Sequence, residues 1–200
     1  MRGYASTRPA ILVATLLVGC SSDPEPNASA SGSLGSDETS PDECPEIGEP
    51  EFVALIDHSA WEFVPAEEDP LVEHRPAIVD CGIAGWFVEN AELEIDTNFC
   101  NYAALRQPAL GPIERCTPLR IELYHFDLLA PEKAEAHAAL LIDGQVVWEK
   151  FIEIPGKAAV YEQEFISPIA APAGAEVMLH LHNHGQNTWT VLLIGAANSS

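Results

Sequence analysis

Cations are scarce in this sequence. Its 200 residues include 9 Lys and Arg against 31 Asp and Glu, a formal charge of −22. A surface this acidic has no cationic face for nucleic acid or for an anionic lipid surface, so both are excluded as partners. It leaves cations, neutral glycans and basic proteins as partners, and keeps the chain soluble. No apolar run reaches the ~20 residues that span a bilayer. The paired cysteine spacings of zinc fingers are missing, as are GxSxG, HExxH, the phosphate-binding loop and GxGxxG. Abundant carboxylates alone do not fix a catalytic pair. Helix signals are weak; residues 131–139 form one candidate, and the Asp143-Gly144 turn that follows favours a strand from Ala134.

At the N-terminus, Arg2 and Arg8 precede the short apolar run 11–18, which ends Leu17-Val18-Gly19-Cys20. That tetrapeptide resembles the lipobox of bacterial lipoproteins. The resemblance implies cleavage before Cys20, a diacylglycerol on its sulfur and an acylated new N-terminus. Several acyl chains make a firm anchor, at ~0.8 kcal/mol per buried CH₂. Ser21, rather than an aspartate, follows the cysteine and resembles the sorting rule for the outer membrane. The expected location is therefore the bacterial cell envelope, lipid-anchored in the outer membrane on its periplasmic or surface face.

Residues 1–19 read as the signal and 20–45 as an acidic Ser/Gly/Pro tether with too little apolar surface to order itself. Residues 46–196 read as the folded domain. Cys44, Cys81, Cys100 and Cys116 remain after Cys20 is used, an even number suited to two disulfides in an oxidising compartment. If residues 86–95 are one strand of about ten residues, ~33 Å long, Cys81 and Cys100 stand too far apart to bridge. The expected pairs are then Cys81–Cys116 and Cys44–Cys100.

Short strands recur from residue 102 onward, at 102–107, 119–128, 135–142, 145–154 and 159–167. The stretch 176–194, EVMLHLHNHGQNTWTVLLI, alternates apolar and polar residues on both sides of a Gly185 loop. As a hairpin it pairs Leu181 with Trp189 and Leu179 with Val191, with His180 and His182 on the opposite face. The expected class is all-β, an antiparallel sandwich. The succession CNY…LRQP, LRIELYHFDL, AHAALLIDGQVVWEKFIEIPG, VYEQEFISPIAAPAGAEVMLHLHN and NTWTVLLIGA resembles the galactose-binding-like jelly roll of carbohydrate-binding modules. That resemblance implies a jelly roll and a possible glycan ligand. Thr190-Val191-Leu192 stands where those modules commonly carry an acidic residue, so no calcium or glycan site is carried over.

His180 and His182 share a strand face. With His125 and His137 on successive strands, and His184 in the loop, they could assemble a divalent-metal site, since imidazole suits Zn, Cu, Fe and Ni. The competing reading is histidines exposed or hydrogen-bonded on a polar sheet face. Trp148 and Trp189 have core parity; Tyr161 and Trp61 are candidates for stacking on a ligand. Three readings follow: a non-catalytic ligand-binding lipoprotein, with glycan or envelope protein as partner; a metal-binding or metal-dependent protein using the histidines; and a purely structural envelope protein.

Overall fold

A computed structural model of the chain describes residues 44–45, 48–183 and 185–198. The signal 1–19, Cys20, nearly all of the tether 20–45, and His184 lie outside the described residues.

The strands are β1 (Phe52–Ala54), β2 (Glu62–Phe63), β3 (Trp86–Glu89), β4 (Glu92–Asp96), β5 (Tyr102–Pro108), β6 (Pro118–His125), β7 (Ala134–Ile142), β8 (Gln145–Ile154), β9 (Ala159–Ile166), β10 (Glu176–His182) and β11 (Thr188–Ala197). A single 3-10 turn, Val72–His74, is described. The strands form two antiparallel sheets. One has the order β3-β4-β11-β6-β9, with β1 also pairing β11; the other is β2-β5-β10-β7-β8. From β5 onward the chain crosses between sheets at every connection but the β7–β8 hairpin, which is the jelly-roll course.

Side-chain alternation makes the sandwich. On β10, Val177, Leu179 and Leu181 point inward; on β7, Ala136, Ala138, Leu140 and Ile142 do the same. From the other sheet come Leu119, Ile121 and Leu123 of β6 and Trp189 and Val191 of β11. Each large aliphatic side chain buried this way contributes about 1.5–3 kcal/mol. The hairpin turn is Asp143 at φ 51° and Gly144 at φ 73°, a left-handed pair that matches strand twist.

Two expectations are overturned. First, β10 and β11 are not a hairpin: β10 pairs β5 and β7, whereas β11 pairs β1, β4 and β6. Their apolar faces meet across the core instead of lying side by side. Alternation shows which face of a strand is greasy but not which strand lies beside it.

Second, the disulfides are Cys44–Cys116 and Cys81–Cys100. The segment 86–95 is a hairpin, not one strand. Asn90 (φ 52°) and Ala91 (φ 65°) turn the chain so that Glu89 faces Glu92 and Trp86 faces Ile95. The return carries Cys100 back to Cys81, opposite which it forms an antiparallel bridge. Gly85 permits the approach: a Cβ there would stand 2.5 Å from Cys100 Cβ and 2.8 Å from the Phe99 carbonyl. Cys44 and Cys116 have Cα atoms 5.4 Å apart.

Candidate functional site

The outer face of the five-stranded sheet carries a row of rings. In register across four strands stand Tyr102 on β5, His182 on β10, His137 on β7 and Phe151 on β8. His137 stacks on Phe151 with centroids 4.4 Å apart. One register step away, His180 has Ala104 on one side and Ala139 on the other. Two alanines flanking an imidazole leave a depression beside it.

Residues 64–75 fill that depression as a strap. Val64 and Leu71 pack on Ala104, Ala139, Leu141 and Met178, a small second core outside the sandwich. Val64 N–H donates to the Ala104 carbonyl at 2.8 Å. Asp69 enters the depression with its side chain fully buried. His180 Nδ1 donates to Asp69 Oδ2 at 2.6 Å, and the Tyr102 hydroxyl donates to the same oxygen at 3.0 Å. Leu71 N–H donates to Oδ1 at 2.8 Å. Burial opposes the charged carboxylate, but these three donors outweigh it and hold Asp69 below its ordinary value. Tyr102 is pushed upward by burial and by the Asp69 charge, so its proton stays to donate.

The 3-10 turn then places His74 over the ring row, 4.0 Å from His137, 5.6 Å from Phe151 and 6.3 Å from His180, centroid to centroid. His137 and His180 are 5.0 Å apart. His137 Nε2 donates to Glu149 Oε2 at 3.2 Å. Burial, with His180 and His74 close by, lowers the His137 pKa against the pull of Glu149. Beside this cluster opens a groove of 740 Å³. His74, His137, His182 and Phe151 form its inner wall, and Glu73, Arg75, Glu132, Lys133 and Glu135 line it as well.

His137, His180 and His182 are thus brought together, on a shared face opposite Leu179 and Leu181. Around His180 the strap covers that face, while His137 and His182 border the groove. His125 is elsewhere: β6 belongs to the other sheet, so His125 and His137 are not neighbours. It packs 4.6 Å from the Trp189 ring, its Nε2 sits 3.2 Å from the Tyr161 hydroxyl, and burial lowers its pKa. Tyr161 has Lys150 Nζ over its ring at 4.9 Å. Trp61 is buried in the main core at 6% exposure, which removes it from the surface. Trp148 and Trp189 are core residues as their parity indicates. Sequence reasoning missed His74, Asp69, Tyr102, Glu149 and Phe151, because their meeting depends on a strap more than a hundred residues before β10.

No family model matches the chain, and no curated protein matches it in sequence. Solved structures give distant likenesses. A carbohydrate-binding module described for specific mannan recognition (CBM27) has 9% identity and a TM-score of 0.43, over 76% of this chain and 100% of that one. A CBM4 structure has 10% identity and a TM-score of 0.42, over 72% and 89%. Tandem CBM51 modules of a family 98 glycoside hydrolase from Streptococcus pneumoniae have 17% identity and a TM-score of 0.36, over 74% and 45%.

Proposed function

We propose that this chain is a lipid-anchored protein of the bacterial outer membrane whose β-sandwich binds a glycan in the groove without acting on it. The observation that carries the reading is the Phe151 shelf. The residue is 47% exposed at the wall of an open groove, and its ring is backed by His137. An aromatic face takes the C–H face of a sugar ring, while flanking polar groups fix orientation. Arg75 and Lys133 offer donors to hydroxyls; Glu73, Glu132 and Glu135 offer acceptors. Acidic residues outnumber cations both in this groove and over the chain, which favours a neutral sugar over an acidic one. Two disulfides support an exported, oxidising setting, and the lipobox-like Leu17–Cys20 tetrapeptide supports the anchor.

A neutral-glycan array probed with the tag-free protein tests the ligand. Retention of a neutral oligosaccharide is expected, weakened about tenfold by Phe151→Ala, the loss of one stacking contact. Phe151 is half-exposed on an edge strand, so the variant keeps the fold. An empty array, or equal binding by the variant, would remove the glycan reading.

Anchoring is tested apart from the ligand. Cys20→Ser is expected to move the protein from the membrane fraction to the soluble one. A variant that stays with membranes, alongside a wild type that incorporates no labelled fatty acid, would defeat the lipoprotein reading.

A further inference from the structure

Behind the His137 wall of the groove lies chemistry that a sugar site does not need. His180 spends Nδ1 on Asp69, and His137 spends Nε2 on Glu149. A carboxylate accepts only, so in a neutral imidazole each of these bonds fixes the tautomer and leaves a lone pair on the other nitrogen. Those nitrogens, His180 Nε2 and His137 Nδ1, are both buried without a hydrogen-bond partner. A buried unsatisfied nitrogen costs free energy, and here two lie in one cluster. An imidazole held at one nitrogen by a carboxylate, with the other nitrogen free, is the usual state of a metal-ligating histidine.

We propose that His74, His137 and His180 hold one divalent transition-metal ion of the zinc class behind the His74–His137 wall of the groove, with Asp69 and Glu149 as positioning residues. The spacing suits this. Three imidazoles on one tetrahedral ion, each bonded at about 2.0–2.1 Å, place their ring centroids roughly 5 Å apart. The observed separations are 4.0, 5.0 and 6.3 Å. Among the described residues no group of three or more His, Cys, Asp or Glu side chains is placed to hold a metal ion as it stands. His74 completes it by turning about its own side-chain torsions, which its half-exposed place on the 3-10 turn permits. Nitrogen donors select Zn²⁺, Co²⁺, Ni²⁺ or Cu²⁺ over Ca²⁺ and Mg²⁺, which take oxygen. Three protein ligands leave one position of a four-coordinate ion for solvent or for a groove ligand. Bound metal would also clamp the strap, through His74, to β7 and β10.

This inference goes beyond the glycan reading and does not rest on it. The test uses the full tag-free chain carrying Cys20→Ser, stripped with chelator and titrated calorimetrically with Zn²⁺ alone. One saturable equivalent is expected. His74→Ala should bind at least tenfold more weakly, and Glu149→Gln about 10–100-fold more weakly, as loss of a carboxylate behind a ligand does. Both substitutions sit at surface-accessible positions and spare the core, so they remain informative if His180→Ala fails to fold. Co²⁺ should give the intense visible bands of a tetrahedral site, lost in His137→Ala. Zn²⁺ should also slow cleavage after Glu67, Glu68 and Glu73 by a glutamate-specific protease. No saturable equivalent, or binding equal to wild type in both surface variants, overturns the proposal.

Discussion

Asp69→Ala is expected to destabilise the strap by about 3 kcal/mol or more, since each buried donor left unsatisfied costs about 1–3 kcal/mol. Its two oxygens take three donors: the His180 imidazole, the Tyr102 hydroxyl and the Leu71 backbone. Alanine leaves all three facing an apolar void. Asp69→Asn should also be costly, because every neighbour of the carboxylate is a donor and an amide must turn its NH₂ toward one of them. The loss can appear in either of two ways. If strap and sandwich unfold together, the denaturant midpoint falls. If the strap opens first, its three glutamates become cleavable while the sheets persist. A variant with an unchanged midpoint and a strap as protected as wild type would show that Asp69 does not pin it.

Replacing Cys44 and Cys116 together by serine is expected to cost about 4 kcal/mol, and replacing Cys81 and Cys100 about 3 kcal/mol, by the loop-closure relation. The difference comes from sequence separation, 72 residues against 19. The longer bridge removes more freedom from the unfolded chain. Thermal or urea unfolding under non-reducing conditions measures both. Peptide mapping checks the pairing directly, because cleavage after Glu46, Glu73, Glu89, Glu94, Glu114 and Glu122 puts the four cysteines on separate peptides. Linkage of the Cys44 and Cys116 peptides is expected. A Cys81–Cys116 link would mean that the β3–β4 hairpin is wrong.

Much of the fold was written in local pattern. The Asp143-Gly144 turn specified the β7–β8 hairpin, since only residues tolerant of positive φ serve there. The parity of Trp148 and Trp189 placed both in the core. Asn90-Ala91 hid its turn, because alanine rarely takes positive φ and the flanking residues alternate as if unbroken. That one misreading propagated to the disulfides. The histidine cluster was half legible. His180 and His182 share a face by strand geometry alone, and Glu135–His137 lies on a strand of the right character. Which strands flank β10 is a property of the jelly-roll crossings, not of alternation. The strap that carries Asp69 and His74 reads as a polar, proline-bounded loop, and its role depends on the alanines at 104 and 139, small residues whose significance emerges only from register.

The place of β11 bears on how the domain comes into being. The last of the described strands sits in the interior of its sheet, between β6 on one edge and β4 and β1 on the other. Until it is delivered, β1, β4 and β6 each present an unpaired edge, and Trp189 is missing from the core. Made N-terminus first, the chain cannot settle half of its sandwich early and add the rest. Such dependence on distant pairings makes folding slow, on the millisecond-to-second scale of all-β domains, and exposes open edges to other chains while it waits. The high negative charge then acts during assembly as well as after it, because emerging chains that repel one another are kept from pairing edge to edge.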